Sequence, residues 1–374
     1  MIDPFLIDVP QSDLSDLHRR LDATRWPDQL PDVGWSHGVP LDYVRDLAEH
    51  WRHDYDWRAH EARLNRHPQF TTEIDGQRIH FLHVRSPHQD ATPLLITHGW
   101  PSTIADFLDV VEPLTNPPVE ADAFHLVIPS LPGFGFSGPT TSPGWNAQRT
   151  ARALAELMSR LGYERFGAQG GDWGRIINRE LALHAPERVI GLHVNGSLGM
   201  PSGDPAELVG LDPHDQRRLE SLEKFTGERM GYAWIQGTRP QTLSYALLDS
   251  PAGQLAWIAE LLEWFDPAEL GEANRIDRDR VLTTVTIYWL TRTAGSSARV
   301  YLEADDNTWG VQEPCPTPTG VVGFGEDRGI RRFAERENNI VRWTTFDRGG
   351  HFAAIQTPDL LVTDVRAFFQ ELRT

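Results

Sequence analysis

The 374-residue sequence contains one cysteine, Cys315, and one lysine, Lys224. No disulfide can form within the chain, which favours a reducing compartment, and we expect a cytoplasmic protein. Cys315 lies in a proline-rich stretch, 313–318, with no base beside it, so a catalytic thiol is not predicted. The near-exclusive use of arginine for positive charge is typical of a GC-rich, bacterial genome.

The sequence also lacks long apolar runs and an excess of positive charge. No stretch approaches the ~18 apolar residues that a membrane-spanning helix needs. The first residues show no basic region followed by an apolar run, so we expect no secretory signal. A formal net charge of -18 disfavours binding to nucleic acid or to an anionic membrane surface. We therefore expect neither as a partner.

Hydrophobic patterning divides the chain into four parts. We predict an N-terminal helical arm over 1–68, a first core part over 69–195, a helical lid over 196–290 and a second core part over 291–374. In both core parts short apolar strands alternate with helical patterns, which predicts an α/β fold with a doubly wound, mostly parallel sheet. The lid interrupts this alternation, as an active-site cover would.

The motif Gly170-Gly171-Asp172-Trp173-Gly174 falls between a predicted strand and a predicted helix. This is the context of a nucleophile elbow, in which glycines permit a tight, strained turn. Aspartate, rather than serine, at the centre has a chemical meaning. A carboxylate that attacks a saturated carbon forms an ester that water can cleave, whereas serine would form a stable ether. The alternative is a glycine-rich turn in which Asp172 only caps a helix.

Two further motifs fit the order expected around such an elbow. His98-Gly99-Trp100-Pro101 follows an early strand, which predicts an oxyanion hole formed by the backbone N–H groups of Trp100 and Trp173. We assign structural roles to His98, as a brace for this loop, and to Pro101.

Arg348-Gly349-Gly350-His351-Phe352 follows the last predicted strand, so His351 is the candidate general base. An acid should orient this histidine from the loop after the preceding strand. Spacing alone leaves two candidates there, Glu326 and Asp327.

Together these motifs resemble the microsomal-type epoxide hydrolase family of the α/β-hydrolase superfamily. The resemblance extends over nearly the whole chain and includes segments of the arm. The matching segments are 24–27, 55–58, 64–65, 79–81, 98–101, 170–174, 318–320 and 348–354.

The resemblance implies roles that spacing does not show. It assigns Tyr232 and Tyr301, in the lid region, as hydrogen-bond donors to the epoxide oxygen. It places the acid on Asp327, with Glu326 as the alternative because Gly325 replaces a proline that is common before the acid. Trp234 and Phe136 are predicted to line the substrate pocket.

The implied reaction opens an epoxide to a vicinal diol through an aspartyl ester, with water as the second substrate and neither a cofactor nor a metal. The aromatic lid suggests a large hydrophobic or natural-product epoxide as substrate, and a xenobiotic or styrene-like epoxide is equally compatible. A homodimer is consistent with the resemblance, because relatives are often dimers. Two alternatives are a haloalkane-type dehalogenase with the same nucleophile and a non-catalytic binder built on this fold.

Overall fold

The computed structural model describes residues 1–196, 198–263, 271–304, 308, 313–325 and 327–373. The described strands form one sheet in the order β1-β2-β3-β5-β4-β6-β7-β8-β9. They are β1 (Ile2–Phe5), β2 (Gln69–Ile74), β3 (Gln77–Val84), β4 (Thr92–Thr97), β5 (Phe124–Pro129), β6 (Phe166–Gly171), β7 (Val189–Asn195), β8 (Cys315–Gly323) and β9 (Asn338–Thr345). β1 to β3 run antiparallel to their neighbours, and the strands from β5 to β9 along this order are parallel. The predicted mostly parallel sheet is confirmed.

Two features at the antiparallel end follow from local sequence. Asp75 and Gly76 both have positive φ, 52° and 71°, and close a two-residue turn between Ile74 and Gln77. That conformation matches the right-handed twist of a hairpin and favours an Asp-Gly pair. The sequence analysis assigned no strand to 2–5. This short strand lies at the sheet edge, where a proline such as Pro4 is tolerated.

Helices cover both faces of the sheet. They are α1 (Gln11–Asp22), α2 (Leu41–His53), α3 (Trp57–Leu64), α4 (Leu108–Thr115), α5 (Ala147–Arg160), α6 (Trp173–His184), α7 (Pro213–Glu228), α8 (Gly231–Thr238), α9 (Pro240–Asp249), α10 (Pro251–Leu262), α11 (Arg278–Thr291), α12 (Ala294–Leu302), α13 (Arg331–Ala334), α14 (Ala353–Gln356) and α15 (Pro358–Glu371). α5 and α6 pack together on one face, and α4 and α15 on the other. Across the described ranges, no helix is both long and apolar enough to cross a bilayer.

The core lies between these helix layers and the central strands. Every residue of β5 is buried, as are the apolar residues Leu94, Leu95 and Ile96 of β4. Parallel strands covered on both faces read as continuous apolar runs, which explains why the sequence pattern located them. The glycines of β6 let flanking helices approach closely, since a Cβ at Gly167 would lie 2.4 Å from the ring of Phe369.

The helices inserted between β7 and β8 are α7 to α12, called the lid helices below. This insertion continues through α12, beyond residue 290. The arm (1–68) holds the lid helices through side-chain hydrogen bonds: Tyr43 with Glu263 at 2.6 Å, His50 with Asp279 at 2.7 Å, and Tyr55 with Thr283 at 3.0 Å. The arm therefore packs on the lid rather than forming a separate domain.

A buried charge pair joins the sheet to α15. His193 Nε2 lies 3.1 Å from Asp364 Oδ2, and Arg342 donates to Asp364 Oδ1 at 2.7 Å. Burial alone would raise the pKa of Asp364. The hydrogen bonds and charges of His193 and Arg342 outweigh it and lower that pKa to about 2. A carboxylate whose pKa is depressed by folding stabilises the folded state while it is ionised.

We therefore expect Asp364→Asn to lower the free energy of unfolding at pH 7 by about 2 kcal/mol or more. The depressed pKa makes this contribution present above about pH 4 and lost as the pH falls towards about 2, so the two proteins should converge there. Urea unfolding at several pH values measures the difference. The control is Asp359→Asn, on the same helix as Asp364. It removes an exposed ion pair with Arg348 and should change stability little. Equal effects of both substitutions at pH 7 would contradict the assignment.

Candidate active site

Asp172 occupies a strained turn between β6 and α6. Its φ of 51° and ψ of -128° lie in a region that non-glycine residues seldom adopt. The turn is possible because α6 approaches β4 very closely: a Cβ at Gly174 would lie 1.9 Å from the carbonyl oxygen of Thr97. Asp172 stands at the N-cap position of α6, but its side chain makes no capping hydrogen bond. The backbone instead presents the carboxylate above the strand ends.

The Asp172 carboxylate is held by three groups. Its Oδ1 accepts the backbone N–H of Trp100 at 2.8 Å, its Oδ2 lies 3.6 Å from His351 Nε2, and the N–H of Trp173 also bonds to it. Burial opposes ionisation here. The nearby imidazole of His351, with the two N–H groups, outweighs burial and holds the pKa of Asp172 below its ordinary value. The carboxylate is ionised at neutral pH, as an attacking group must be.

Gly99 allows the loop at 98–101 to reach this carboxylate. A Cβ at Gly99 would lie 2.3 Å from Asp172 Oδ1, and the φ of Gly99 is not in the left-handed region. Glycine is therefore required here by the space that the carboxylate occupies. The peptide bond between Trp100 and Pro101 is cis.

His98 braces this loop from below. Its Nδ1 lies 2.8 Å from the carbonyl oxygen of Gly99, and its Nε2 accepts the backbone N–H of Leu131 at 3.1 Å. Burial is the main reason that the pKa of His98 falls to about 4, so the ring is neutral. Both ring nitrogens are engaged by backbone groups, which agrees with the bracing role predicted for His98.

The two tyrosines named by the resemblance meet beside the loop at 98–101. Tyr232 of α8 stacks on the Trp100 indole, with centroids 5.5 Å apart and planes at 12°. Tyr301 of α12 meets the edge of Trp100 at 5.9 Å and the ring of Trp173 at 5.1 Å. The two phenol rings lie 5.9 Å apart. Residues that are far apart in sequence thus surround the nucleophile.

The environment keeps both phenols protonated. Burial first, and then the charge of Asp172, raise the pKa of Tyr232 above its usual range. Burial, the neighbouring Tyr232 and Asp172 likewise raise the pKa of Tyr301. A neutral phenol donates a hydrogen bond, so both side chains can act on an oxygen that develops negative charge.

Asp327 follows β8, in the loop where an orienting acid was predicted. Its Oδ1 accepts the backbone N–H of Gly329 at 2.8 Å. Burial lowers the pKa of Arg175 in α6, while the charges of Asp172 and Asp327 both oppose that shift. Both carboxylates therefore interact electrostatically with the guanidinium of Arg175. The alternative acid, Glu326, lies outside the described residues.

The packing gives no support to the two predicted pocket residues. The side chain of Trp234 is 70% exposed, which is the environment of a surface residue. The ring of Phe136 contacts Phe5 and His80, on the arm and on β3. Across the described part of the chain, no group of three or more His, Cys, Asp or Glu side chains has a metal-binding arrangement.

The sequence analysis missed a buried polar network beneath the elbow. Thr97 donates to Asn178 at 2.8 Å, Asn178 Nδ2 donates to the carbonyl oxygen of Gln169 at 2.9 Å, and Gln169 donates to Asn195 at 2.8 Å. The available signal was polar residues at the carboxyl ends of β4, β6 and β7. Buried networks of this kind hold together the elements that they join, although Gln169 Oε1 has no hydrogen-bond partner among the described residues. This one ties together the strands that flank Asp172.

The sheet, the elbow aspartate and the adjoining histidine define an α/β hydrolase. Two family models agree: an epoxide hydrolase N-terminal model matches residues 2–107, and an α/β-hydrolase fold model matches residues 92–227. The chain belongs to the epoxide hydrolase family and is an epoxide hydrolase, which converts an epoxide to a vicinal diol. The relatives do not favour the dehalogenase or the binder alternative.

Individual relatives support this family over the full length. The chain is 45% identical to a Stigmatella aurantiaca protein provisionally named an epoxide hydrolase, covering 100% of this chain and 86% of that protein. It is 33% identical to epoxide hydrolase 1 of Sus scrofa, covering 98% and 88%. The crystal structure of Bombyx mori juvenile hormone epoxide hydrolase superimposes with a TM-score of 0.91 at 29% identity, covering 100% and 95%.

Gly99→Ala should abolish most activity while the protein still folds. The added methyl group would meet the Asp172 carboxylate at 2.3 Å, so the nucleophile or its Trp100 donor must move. Misplacing a reacting group by about 1 Å typically costs about 100-fold in rate. Steady-state diol formation and circular dichroism check the two expectations. The matched control is Gly227→Ala in α7, where no atom lies within 4 Å of an added Cβ. Turnover of Gly99→Ala at the wild-type rate would show that this contact does not matter.

Proposed function

We propose that Asp172 is the nucleophile of a two-step hydrolysis that passes through a covalent aspartyl ester. The observation that carries the proposal is the position of one ionised carboxylate. It stands on a strained turn, it accepts the N–H of Trp100 at 2.8 Å, and it lies beneath two protonated phenols. An anionic nucleophile opposite neutral acids is the arrangement that epoxide opening requires.

In the first step a carboxylate oxygen of Asp172 attacks one epoxide carbon, and the bond between that carbon and the ring oxygen breaks. Tyr232 and Tyr301 donate hydrogen bonds to the departing oxygen, and one of these phenols transfers its proton to that oxygen, which becomes the first hydroxyl of the product. Their raised pKa values support this role, because a phenol must be protonated to donate. General acid assistance of this kind is typically worth about 10² to 10⁴ in rate.

In the second step His351 takes a proton from water, and the hydroxide attacks the carbonyl carbon of the Asp172 ester. The N–H groups of Trp100 and Trp173, which already bond to the carboxylate, stabilise the oxyanion. Collapse of the intermediate breaks the bond between the carbonyl carbon and the alkyl oxygen, which takes the proton held by His351 and leaves as the second hydroxyl of the diol. The carboxylic acid left on Asp172 then ionises, and its proton replaces the one that the phenol gave up. Asp327 is the proposed orienting acid for His351, because it follows β8 and the resemblance places the acid there, with Glu326 as the alternative.

The aromatic walls of the site support a hydrophobic epoxide as substrate. Trp100 and Trp173, together with the two tyrosines, present ring faces and edges around the nucleophile. Juvenile hormone epoxide hydrolases from several insects are among the relatives, which is consistent with large hydrophobic or natural-product epoxides. A cytoplasmic location, supported by the single, buried cysteine, and a homodimer complete the proposal.

His351→Gln should trap the ester. Ring opening needs only Asp172 and the tyrosines, whereas hydrolysis needs a base, so the variant should accumulate a covalent adduct. Intact-protein mass spectrometry after incubation with a styrene-type epoxide should show an increase equal to the epoxide mass. Asp172→Ala, the matched control, should form neither adduct nor diol.

Isotope labelling distinguishes this route from direct attack by water. During a single turnover of the wild-type enzyme in ¹⁸O-water, the first diol should carry an unlabelled oxygen that comes from Asp172. If that oxygen comes from solvent, or if Asp172→Ala forms diol at the wild-type rate, the covalent route is wrong.

The pH dependence of ring opening should reveal the contribution of His351. The carboxylate must be ionised to attack, and wild-type Asp172 has a pKa below the ordinary 3.8. Ring opening in single turnovers should therefore remain constant down to about pH 5. In His351→Gln only the two N–H groups still offset the effect of burial on the pKa of Asp172, so the acid limb should move to higher pH. A limb that stays in place would contradict this account of the Asp172 pKa.

A further inference from the structure

Trp100 serves the active site through two different groups. Its backbone N–H donates to Asp172 Oδ1 at 2.8 Å, and its buried indole N–H donates to the hydroxyl of Ser297 at 3.2 Å. The first bond connects Trp100 to the core, and the second connects it to lid helix α12. The indole therefore has a fixed partner as well as a fixed backbone.

Ser297 is arranged to accept that bond. Its side chain is fully buried, and its hydroxyl donates its own hydrogen to the carbonyl oxygen of Ala294 at 3.1 Å. A hydroxyl has one hydrogen and two lone pairs, so the lone pairs remain for acceptance. Tyr288, whose phenol donates to the carbonyl oxygen of Ser102 at 3.0 Å, also lies within hydrogen-bonding reach of Ser297.

The indole is the surface on which the phenols are placed. Tyr232 stacks on it nearly parallel, at 12°, and Tyr301 meets its edge at 90°. Ser297 and Tyr301 are four residues apart in α12, so they share one helix face. A rotation of the indole would remove the support of Tyr232 and open space beside Tyr301.

We propose that Ser297 is a positioning residue for ring opening. By holding the indole of Trp100 it sets where Tyr232 stands relative to Asp172. The inference rests on the proposed function, because it assigns to Ser297 a role in aligning the proton-donating phenols. Ester hydrolysis depends on His351 and on backbone N–H groups, so it is not expected to depend on the Ser297 hydroxyl.

The test is Ser297→Ala, with ester formation and ester hydrolysis measured separately. Ester formation is followed in the His351→Gln background by rapid-quench mass spectrometry with a styrene-type epoxide. It should slow by about tenfold, as expected when a reacting group is misplaced. Ester decay in single turnovers with native His351 should change by less than about twofold, whereas a general loss of structure would slow both steps.

The matched control is Ser296→Ala in the same helix. The Ser296 hydroxyl donates to the backbone carbonyl oxygens of Gly133 at 2.5 Å and Thr293 at 3.3 Å rather than holding the indole of Trp100, so ester formation should stay within about twofold of the parent. A tenfold loss in this control as well would overturn the proposal, because any buried serine in α12 would then have the same effect.

A double-mutant cycle tests whether Ser297 acts through the indole. Trp100→Phe removes the indole N–H and keeps an aromatic ring, so adding Ser297→Ala to it should cause little further loss in ester formation. Additive losses, or wild-type ester formation in Ser297→Ala, would overturn the inference. Since Trp100→Phe removes the same bond from the other side, the test holds even if Ser297→Ala folds poorly. Failure of the proposed function is a different result, in which His351→Gln accumulates no ester at all.

Discussion

The structure depends on one strained residue and the space left for it. Asp172 has a positive φ, and the turn is possible only because Gly174 lets α6 touch the end of β4 and Gly99 lets the neighbouring loop reach the carboxylate. Backbone strain persists only where the surroundings enforce it. Here the enforcement comes from the polar network below the elbow and from the N–H of Trp100 above it. Folding thus holds an ionised carboxylate among aromatic side chains. These side chains exclude water that would compete with the protein for the hydrogen bonds of the carboxylate.

Trp100 connects this strained centre to the lid. Its backbone belongs to the loop at 98–101, which His98 fixes from the core side through two backbone contacts. Its indole is held by Ser297 and stacked by Tyr232, both from lid helices. One residue therefore sets the position of the nucleophile relative to the groups that act on the leaving oxygen. The hydrogen bonds of His98 and of the Trp100 indole are buried, so the relation between core and lid is defined by packing and hydrogen bonds together.

Local patterns predicted the fold, and they placed the candidate nucleophile and base at strand ends, for identifiable reasons. Buried parallel strands appear as apolar runs, and the elbow at Asp172 and the loop at His351 follow recognisable strand ends. The tyrosines could be named only through the resemblance, because Tyr232 and Tyr301 meet through lid packing that no short pattern records. Trp234 shows that closeness in sequence to Tyr232 does not predict the environment of a side chain, because Trp234 is exposed to solvent. Ser297 had no sequence signal, since its role arises from a contact with a residue almost two hundred positions away.

The N-terminal arm helps to fix the lid helices relative to the core. A lid that carries the phenols on α8 and α12 must keep a fixed distance from the core that carries Asp172, or the two halves of the site separate. The bond between Tyr288 and the loop carbonyl of Ser102 ties α11 directly to the core. The contacts of His50 with Asp279 and of Tyr55 with Thr283 hold the same helix from the outside. Contacts on two sides thus hold α11 in place. Because α12 follows α11 directly in the chain, the position of α11 also restricts that of α12. The arm, whose buried side chains such as Leu17, Leu47 and Trp51 belong to the main hydrophobic core, is therefore best understood as part of the active-site scaffold.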